Sequence, residues 1–169
     1  IPDISSEFEK HEPAKYDPRI NFNQNSQVHL SETEKSLRKF IIEGIYDGDI
    51  DYMRKHFKQI WIYIEDTRSK NRKKISVPKE KTELDYATFG HLLEILKNKE
   101  SRNRAKIKNI EEWEDLIKKI EIILSYRNDL DHARVTNGDL DPHVKYIVVG
   151  VCHEIKKFTF ETLYQIVYR

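Results

Sequence analysis

Residues that interrupt helices are scarce in this chain, and their scarcity restricts its possible folds more than any other feature. The 169 residues include only 5 glycines and 5 prolines. After Pro18 the only prolines are Pro78 and Pro142, so long stretches can remain helical. Apolar residues recur at spacings of three and four, and no comparable stretch alternates as a strand would. We therefore predict an all-α fold, an antiparallel bundle of about five helices.

The first helix is predicted to begin at a capping box and to end at a glycine. In Ser31-Glu32-Thr33-Glu34, the Ser31 hydroxyl and the Glu34 carboxylate can satisfy free backbone donors of the first turn. An apolar face follows, and Gly48 ends the helix. The other four helices are predicted to cover residues from about 50 to before 78, residues 86–96, residues from about 109 onward, and residues from 141–142 to 169.

The chain is predicted to divide at residue 30. Residues 1–29 contain three of the five prolines and a polar run at 21–27, which is typical of an extended arm or linker. Residues 30–169 carry the helical periodicity and form the predicted domain.

Composition excludes several classes of protein. With 35% charged residues, mean hydropathy of −0.75 and no run of about 20 apolar residues, the chain is not expected to enter a membrane. A single cysteine, Cys152, excludes an internal disulfide and a cysteine-rich zinc module, and favours a cytoplasmic location. Asp47, Asp49 and Asp51 resemble calcium ligands, but Tyr52 and Lys58 replace the glycine and glutamate of such a loop. A helix-capping turn is the better interpretation there, and no metal or cofactor is expected.

Positive charge is concentrated in two segments, although the net charge is only +1. Residues 68–81 contain seven Lys or Arg and one acid, and residues 97–108 contain six and one. These segments could form a surface that contacts RNA phosphates, or they could be solvated connectors. The candidate RNA-binding residues are Arg68, Lys70, Arg72, Lys73, Lys74, Arg102 and Arg104.

A polar motif interrupts the apolar stripe of the fourth helix. The stripe over residues 113–124 leads directly to Arg127, a cation at a position where the pattern requires a core residue. Such a guanidinium is expected to face a cleft, a carboxylate or a subunit interface. Asn128 and His132 are four residues apart and can share one helical face. An imidazole can move protons near neutral pH, and a guanidinium can stabilise charge on a phosphorane. His132 could instead be a C-terminal helix cap.

The sequence Arg127-Asn128-Asp129-Leu130-Asp131-His132 resembles the hallmark of the HEPN superfamily, the higher eukaryotes and prokaryotes nucleotide-binding domains. That hallmark is Arg followed by a polar residue, often Asn, with four to six residues between the Arg and the His, and four residues lie between Arg127 and His132. The resemblance covers about residues 30–169 and implies a metal-independent endoribonuclease, often from a toxin–antitoxin or antiphage system. It implies that Arg127 stabilises the phosphorane, that Asn128 orients the site and that His132 is the acid or base.

The same resemblance implies a homodimer in which two motifs form one cleft, with an antitoxin or a fused sensor domain as a further partner. Arg134 stands where one toxin branch of the family has a regulated Tyr, which argues against membership of that branch. Some family members are inactive and serve as dimerisation, partner-binding or RNA-binding modules. An ion pair between Arg127 and an acid of the same chain that closes the cleft would favour such a module. An open cleft with both Arg/His pairs facing each other across a dimer would favour the ribonuclease.

Three further residues are predicted to be structural rather than functional. Trp61 and Trp113 lie on apolar stripes and are expected in the core rather than stacked on bases. Cys152 has no acid–base context and is expected to be a small core residue.

Overall fold

The computed structural model describes residues 20–71, 82–133 and 139–167, with the side chains of 128–133 and 167 excepted. Within these residues the chain forms seven α-helices, one π-helix and one 3-10 helix, and no strand. The predicted all-α class is confirmed, whereas the expected number of about five helices is too low. Two differences account for the excess: the predicted second helix is divided, and a short helix occupies the second basic segment.

Helix α1, Ser26–Phe40, begins five residues before the predicted capping box. Its N-cap is Asn25, whose side-chain oxygen accepts a hydrogen bond from the backbone N–H of Gln27 at 2.8 Å. Ser31 is an exposed residue inside the helix, so the predicted start was wrong. The first residues of α1 therefore come from the segment predicted as an arm, of which residues 1–19 lie outside the described residues. Asn25 caps the helix, and burial of Ser26 and His29 holds the residues before Ser31 in helical structure.

A π-helix, Ile41–Tyr46, continues from α1 and ends in a left-handed turn. Asp47 and Gly48 have φ of 45° and 78°, a region that favours glycine and tolerates Asp. Asp49 then caps α2, Ile50–His56, by accepting the backbone N–H of Tyr52 at 3.0 Å. The acidic stretch is therefore the predicted capping turn.

The predicted second helix is two helices, because the backbone leaves helical geometry at Phe57, where φ is −131° and ψ is 48°. Helix α3, Lys58–Asn71, follows directly. Phe57 nevertheless remains buried with its neighbours on the predicted stripe. Beyond residues 72–81, a 3-10 helix, Glu83–Tyr86, precedes α4, Phe89–Lys97.

The second basic segment is partly helical, as α5, Lys99–Arg104. The two longest helices follow: α6, Ile110–Ala133, and α7, Pro142–Val167. Asn109 caps α6 by accepting the backbone N–H groups of Glu111 and Glu112, and Asp141 accepts that of His143 at 3.0 Å. Both predicted helix starts are confirmed.

One hydrophobic core lies among these helices. Helix α1 packs mainly on α7, while α6 packs on α7 and α4. Trp61, Trp113 and Cys152 are buried, as predicted. Burial raises the pKa of the Cys152 thiol to about 12, so this sulfur stays protonated and unreactive. The largest fully buried side chains are Phe40, Phe89, Leu37, Ile41, Ile45, Met53, Ile64, Leu84, Leu92, Ile95, Leu96 and Leu116.

Candidate functional site

Arg127 lies in the last third of α6 and forms an ion pair with α1. Its Nη1 atom is 3.0 Å from Oε1 of Glu34. The Arg127 side chain remains 41% exposed, whereas that of Glu34 is 15% exposed. The apolar stripe of α6 thus ends in a cation whose partner is a carboxylate of the same chain. The pairing does not bury the guanidinium, which is still accessible to solvent.

Glu34 is itself held by a second arginine. Its Oε2 atom lies 3.2 Å from Nη1 of Arg38, one turn further along α1. Arg38 also donates hydrogen bonds to the backbone carbonyls of Leu84 and Ala87, both at 3.2 Å. Because Arg38 is tied to the segment between α3 and α4, the Glu34 carboxylate has little freedom to move. We call Glu34, Arg38 and Arg127 the arginine–glutamate cluster.

The arginine–glutamate cluster carries two guanidinium groups and one carboxylate, so it keeps one positive charge at the surface. Arg127 also lies over the buried Phe89 ring, with 5.7 Å between its Cζ atom and the ring centroid. This distance permits a weak cation–π attraction. Glu34 and Phe89, both in the described part of the chain, therefore orient Arg127.

Sequence reasoning did not assign Glu34 to the site. It gave this residue to a capping box, and the position of Glu34 in the third turn of α1 rules that out. A signal was present, since Glu34 and Arg38 have the i, i+4 spacing of a helical ion pair. The contact with Arg127 joins residues that are far apart in sequence, and no local pattern reveals it.

The other two residues of the motif share the helix of Arg127. Asn128 and His132 belong to the continuous backbone of α6, four residues apart and therefore on one face of the helix. Their side chains lie outside the described residues.

The first basic segment is described only at its start. Arg68 lies 3.8 Å from Glu83, and Lys70 lies 3.0 Å from Asp66, in half-exposed or exposed pairs at the end of α3. Exposed pairs of this kind open at little cost, so both cations can still contact an anion. The candidates Arg72, Lys73 and Lys74 lie outside the described residues.

Arg104, in the second basic segment, is occupied by the fold. Its Nε atom donates to the carbonyl of Ile45 at 2.6 Å, at the end of the π-helix. Its Nη2 atom lies 3.4 Å from Asp49, and its Cζ atom lies 3.8 Å from the centroid of the Tyr52 ring. Arg104 therefore satisfies a helix-terminal carbonyl and holds the turn before α2. Arg102 donates to the carbonyl of Lys108 at 3.3 Å and does not approach Arg104's partners.

The described part of the chain has neither a cluster of metal ligands nor a membrane-spanning helix. Within residues 20–71, 82–133 and 139–167, no group of three His, Cys, Asp or Glu side chains is placed to hold a metal ion. No helix in the same ranges is long and apolar enough to cross a membrane.

Comparison with known proteins gave no match. This holds for protein-family models, for curated proteins and for solved structures.

Proposed function

We propose that this chain is a HEPN-like, metal-independent endoribonuclease in which Arg127 and His132 act on the scissile phosphate. The observation that supports the proposal is that Arg127 is held by an ion pair and is still accessible to solvent. Its guanidinium is oriented from one side by Glu34, is 41% exposed, and lies on the same helix as the Asn128 and His132 positions. A held but accessible guanidinium is suited to bind a phosphate group through its remaining N–H donors.

The reaction is an attack of the neighbouring ribose 2′-oxygen on phosphorus. The bond from phosphorus to the 2′-oxygen forms, and the bond to the 5′-oxygen of the next nucleotide breaks. A base takes the proton of the 2′-hydroxyl, and an acid protonates the departing 5′-oxygen. Arg127 stabilises the negative charge on the intermediate phosphorane. The products are a 2′,3′-cyclic phosphate and a free 5′-hydroxyl.

A base and an acid are both needed, which favours two copies of His132. We propose that two chains associate near the end of α6, so that each contributes one Arg127 and one His132 to a shared cleft. Light scattering should then report a dimer at micromolar concentration. A monomer that cleaves RNA at the same rate per chain at all concentrations would contradict the shared cleft.

A second function has support from the same ion pair. Because Arg127 pairs with Glu34 of its own chain, the arginine–glutamate cluster could be purely structural, in a catalytically silent module that dimerises or binds a partner. The exposed fraction of Arg127 favours the ribonuclease, since a guanidinium that solvent reaches can still donate hydrogen bonds to a phosphate group.

The deciding experiment is incubation of the purified chain with RNA in EDTA. Wild-type protein should release 2′,3′-cyclic phosphate ends and leave DNA of the same sequence intact. His132→Ala should lose about a hundred- to ten-thousand-fold in rate and keep most of its RNA affinity. His143→Ala, which changes an exposed histidine on α7, is the matched control and should cleave normally.

Arg127 is tested in the same assay. Arg127→Ala should lose rate and some RNA affinity, and Arg127→Lys should not restore them, because an ammonium lacks the bidentate fork. Activity that disappears in EDTA, acts equally on DNA or survives His132→Ala would contradict the proposed chemistry. Absence of any cleavage by the wild type would leave the silent module as the better interpretation.

A further inference from the structure

A groove beside the first turns of α6 is separate from the Arg127 site. It lies between this helix and residues 97–102, has a volume of about 500 Å³ and is open to solvent along one side. Helix α6 rises about 1.5 Å per residue, so Arg127 lies roughly 9 Å along the helix beyond Glu121, the groove residue nearest to it, and roughly 25 Å beyond Ile110. The Arg127 site therefore does not account for this groove.

The floor of the groove is apolar. Ile110 is 51% exposed, Ile117 is partly buried, and Trp113 between them is only 6% exposed. These residues are spaced by three and four, so they form one stripe along two turns of α6. An exposed isoleucine beside a partly buried one leaves apolar area that a partner could cover.

The rim of the groove carries more positive than negative charge. Its cations are Lys97, Lys99, Arg102 and Lys118, and its carboxylates are Glu114 and Glu121. Lys97 already pairs with Glu121, at 2.9 Å. Arg102 is bonded to a neutral carbonyl, so its charge is not neutralised by that contact. The surplus of positive charge selects an acidic partner.

We propose that this groove binds an amphipathic helix of a partner protein, with Asp and Glu bordering its apolar face. The two-turn floor fits apolar side chains at i, i+3 or i+4, and i+7 of such a helix. Single-stranded RNA fits the groove less well, because bases stack on exposed aromatic rings and the only ring in the floor is buried. The proposal does not depend on the ribonuclease proposal.

The test uses the full chain with 13C-labelled isoleucine methyl groups and a synthetic 16-residue helical peptide. The peptide has Leu at i, i+3 and i+7 and Glu at the flanking positions. We expect saturable shifts of the Ile110 and Ile117 methyl signals, while those of the buried Ile60 and Ile64 stay unchanged. A peptide with Lys in place of every Glu should cause no shift.

Charge reversal in the groove provides the variants. The double variant Lys99→Glu/Arg102→Glu should weaken peptide binding by about tenfold or more. Lys55→Glu/Lys58→Glu, an equal charge change at exposed positions on α2 and α3, should have no effect. All four positions lie away from the core, and circular dichroism checks that each variant is folded.

Three outcomes would overturn the proposal. The first is no shift with the acidic peptide, and the second is an equal shift with the Lys peptide. The third is displacement of the acidic peptide by oligouridylate on the His132→Ala chain, with the same methyl shifts, which would assign the groove to RNA. Because these measurements record binding and not cleavage, failure of the ribonuclease proposal would not affect them.

Discussion

At the scale of single residues, the carboxylate of Glu34 connects the candidate site to the rest of the fold. One oxygen contacts Arg127 and the other contacts Arg38, which is fixed on the carbonyls of Leu84 and Ala87. The orientation of Arg127 thus depends on residues of three segments. Small displacements of a catalytic group lower the rate sharply.

Glu34→Gln should therefore slow RNA cleavage more than it weakens RNA binding. The amide keeps the shape of the side chain but loses the charge that attracts both arginines. We expect kcat to fall on the order of tenfold to a hundredfold with KM changed little. The matched control is Glu65→Gln, which removes one partner of an exposed ion pair with Arg54. If Glu34→Gln cleaves like the wild type, Glu34 does not position Arg127.

His29 predicts how stability depends on pH. This histidine is buried, its Nε2 atom lies 2.9 Å from the carbonyl oxygen of Asn21, and burial lowers its pKa below the usual 6.5. The unfolded chain then binds the proton more readily than the folded chain, so stability rises with pH through this range. The contribution of His29 to the free energy of unfolding should be fully present above about pH 6.5 and should be lost as the pH falls below that value.

Urea unfolding at pH 7.5 and pH 5.5, in wild type and in His29→Gln, measures this contribution. The wild type should lose more stability on acidification than the variant does. Equal losses in the two proteins would show that His29 has no part in the pH dependence. His143→Gln, at an exposed position, is the control.

The sequence predicts the role of a residue well when the residues that it contacts are close to it in sequence. The apolar stripe correctly places Trp113 in the core and marks Arg127 as exceptional. Glu34 was assigned to a cap because its i−3 neighbour is a serine, and its true partners lie at positions 38 and 127. One of these is a helical turn away, whereas the other is brought near only by packing of α1 against α6.

At the scale of elements, Arg104 links α5 to the π-helix and the turn after it. It bonds to the carbonyl of Ile45, pairs with Asp49 and covers the Tyr52 ring. Arg104 was predicted as an RNA-binding candidate from the density of positive charge in residues 97–108. Charge density in the sequence does not reveal that its guanidinium bonds to a carbonyl far away in the chain.

Arg104→Ala should destabilise the fold by about 1–3 kcal/mol, because the Ile45 carbonyl loses a charge-assisted hydrogen bond. Arg102→Ala, which removes a cation from the same helix without touching these partners, should change stability by less than about 0.5 kcal/mol. Chemical denaturation of both variants provides the comparison. Equal stabilities would mean that the contacts of Arg104 contribute nothing to the fold.

Helix starts were predicted well where a cap is followed directly by a periodic apolar stripe, as at Asn109 and Asp141. The start of α1 was misplaced because two capping signals, Asn25 and Ser31, lie six residues apart and both precede apolar residues. Burial of Ser26 and His29 favours the earlier helix start, at Asn25. The break at Phe57 has no local signal, since the apolar stripe continues through it.

At the scale of the whole molecule, positive charge is expected to govern RNA affinity. The proposed RNA-binding surface includes Arg72, Lys73 and Lys74, which follow the last residue of α3. Reversal of all three to Glu should lower RNA affinity, and it should also make the affinity less dependent on salt, because fewer counterions are released.

Filter binding at several salt concentrations measures both effects, with circular dichroism as the check on folding. The control is Lys55→Glu/Lys58→Glu, which changes exposed cations outside the two basic segments. If the triple variant binds RNA as tightly as wild type with the same salt dependence, these residues are part of a solvated connector.

The pairing of α1 with α7 has a consequence for how the protein folds. Ser26 bonds to Asp139, Glu32 to Lys156 and Ser36 to Thr159, contacts that join residues 113 to 124 positions apart. Isolated helical segments form in about a microsecond, but α1 lacks its main packing partner until a helix synthesised more than a hundred residues later has emerged. Translation proceeds at about 5–20 residues per second, so several seconds pass in this condition. A growing chain on the ribosome therefore keeps much of the apolar face of α1 uncovered until α7 packs on it.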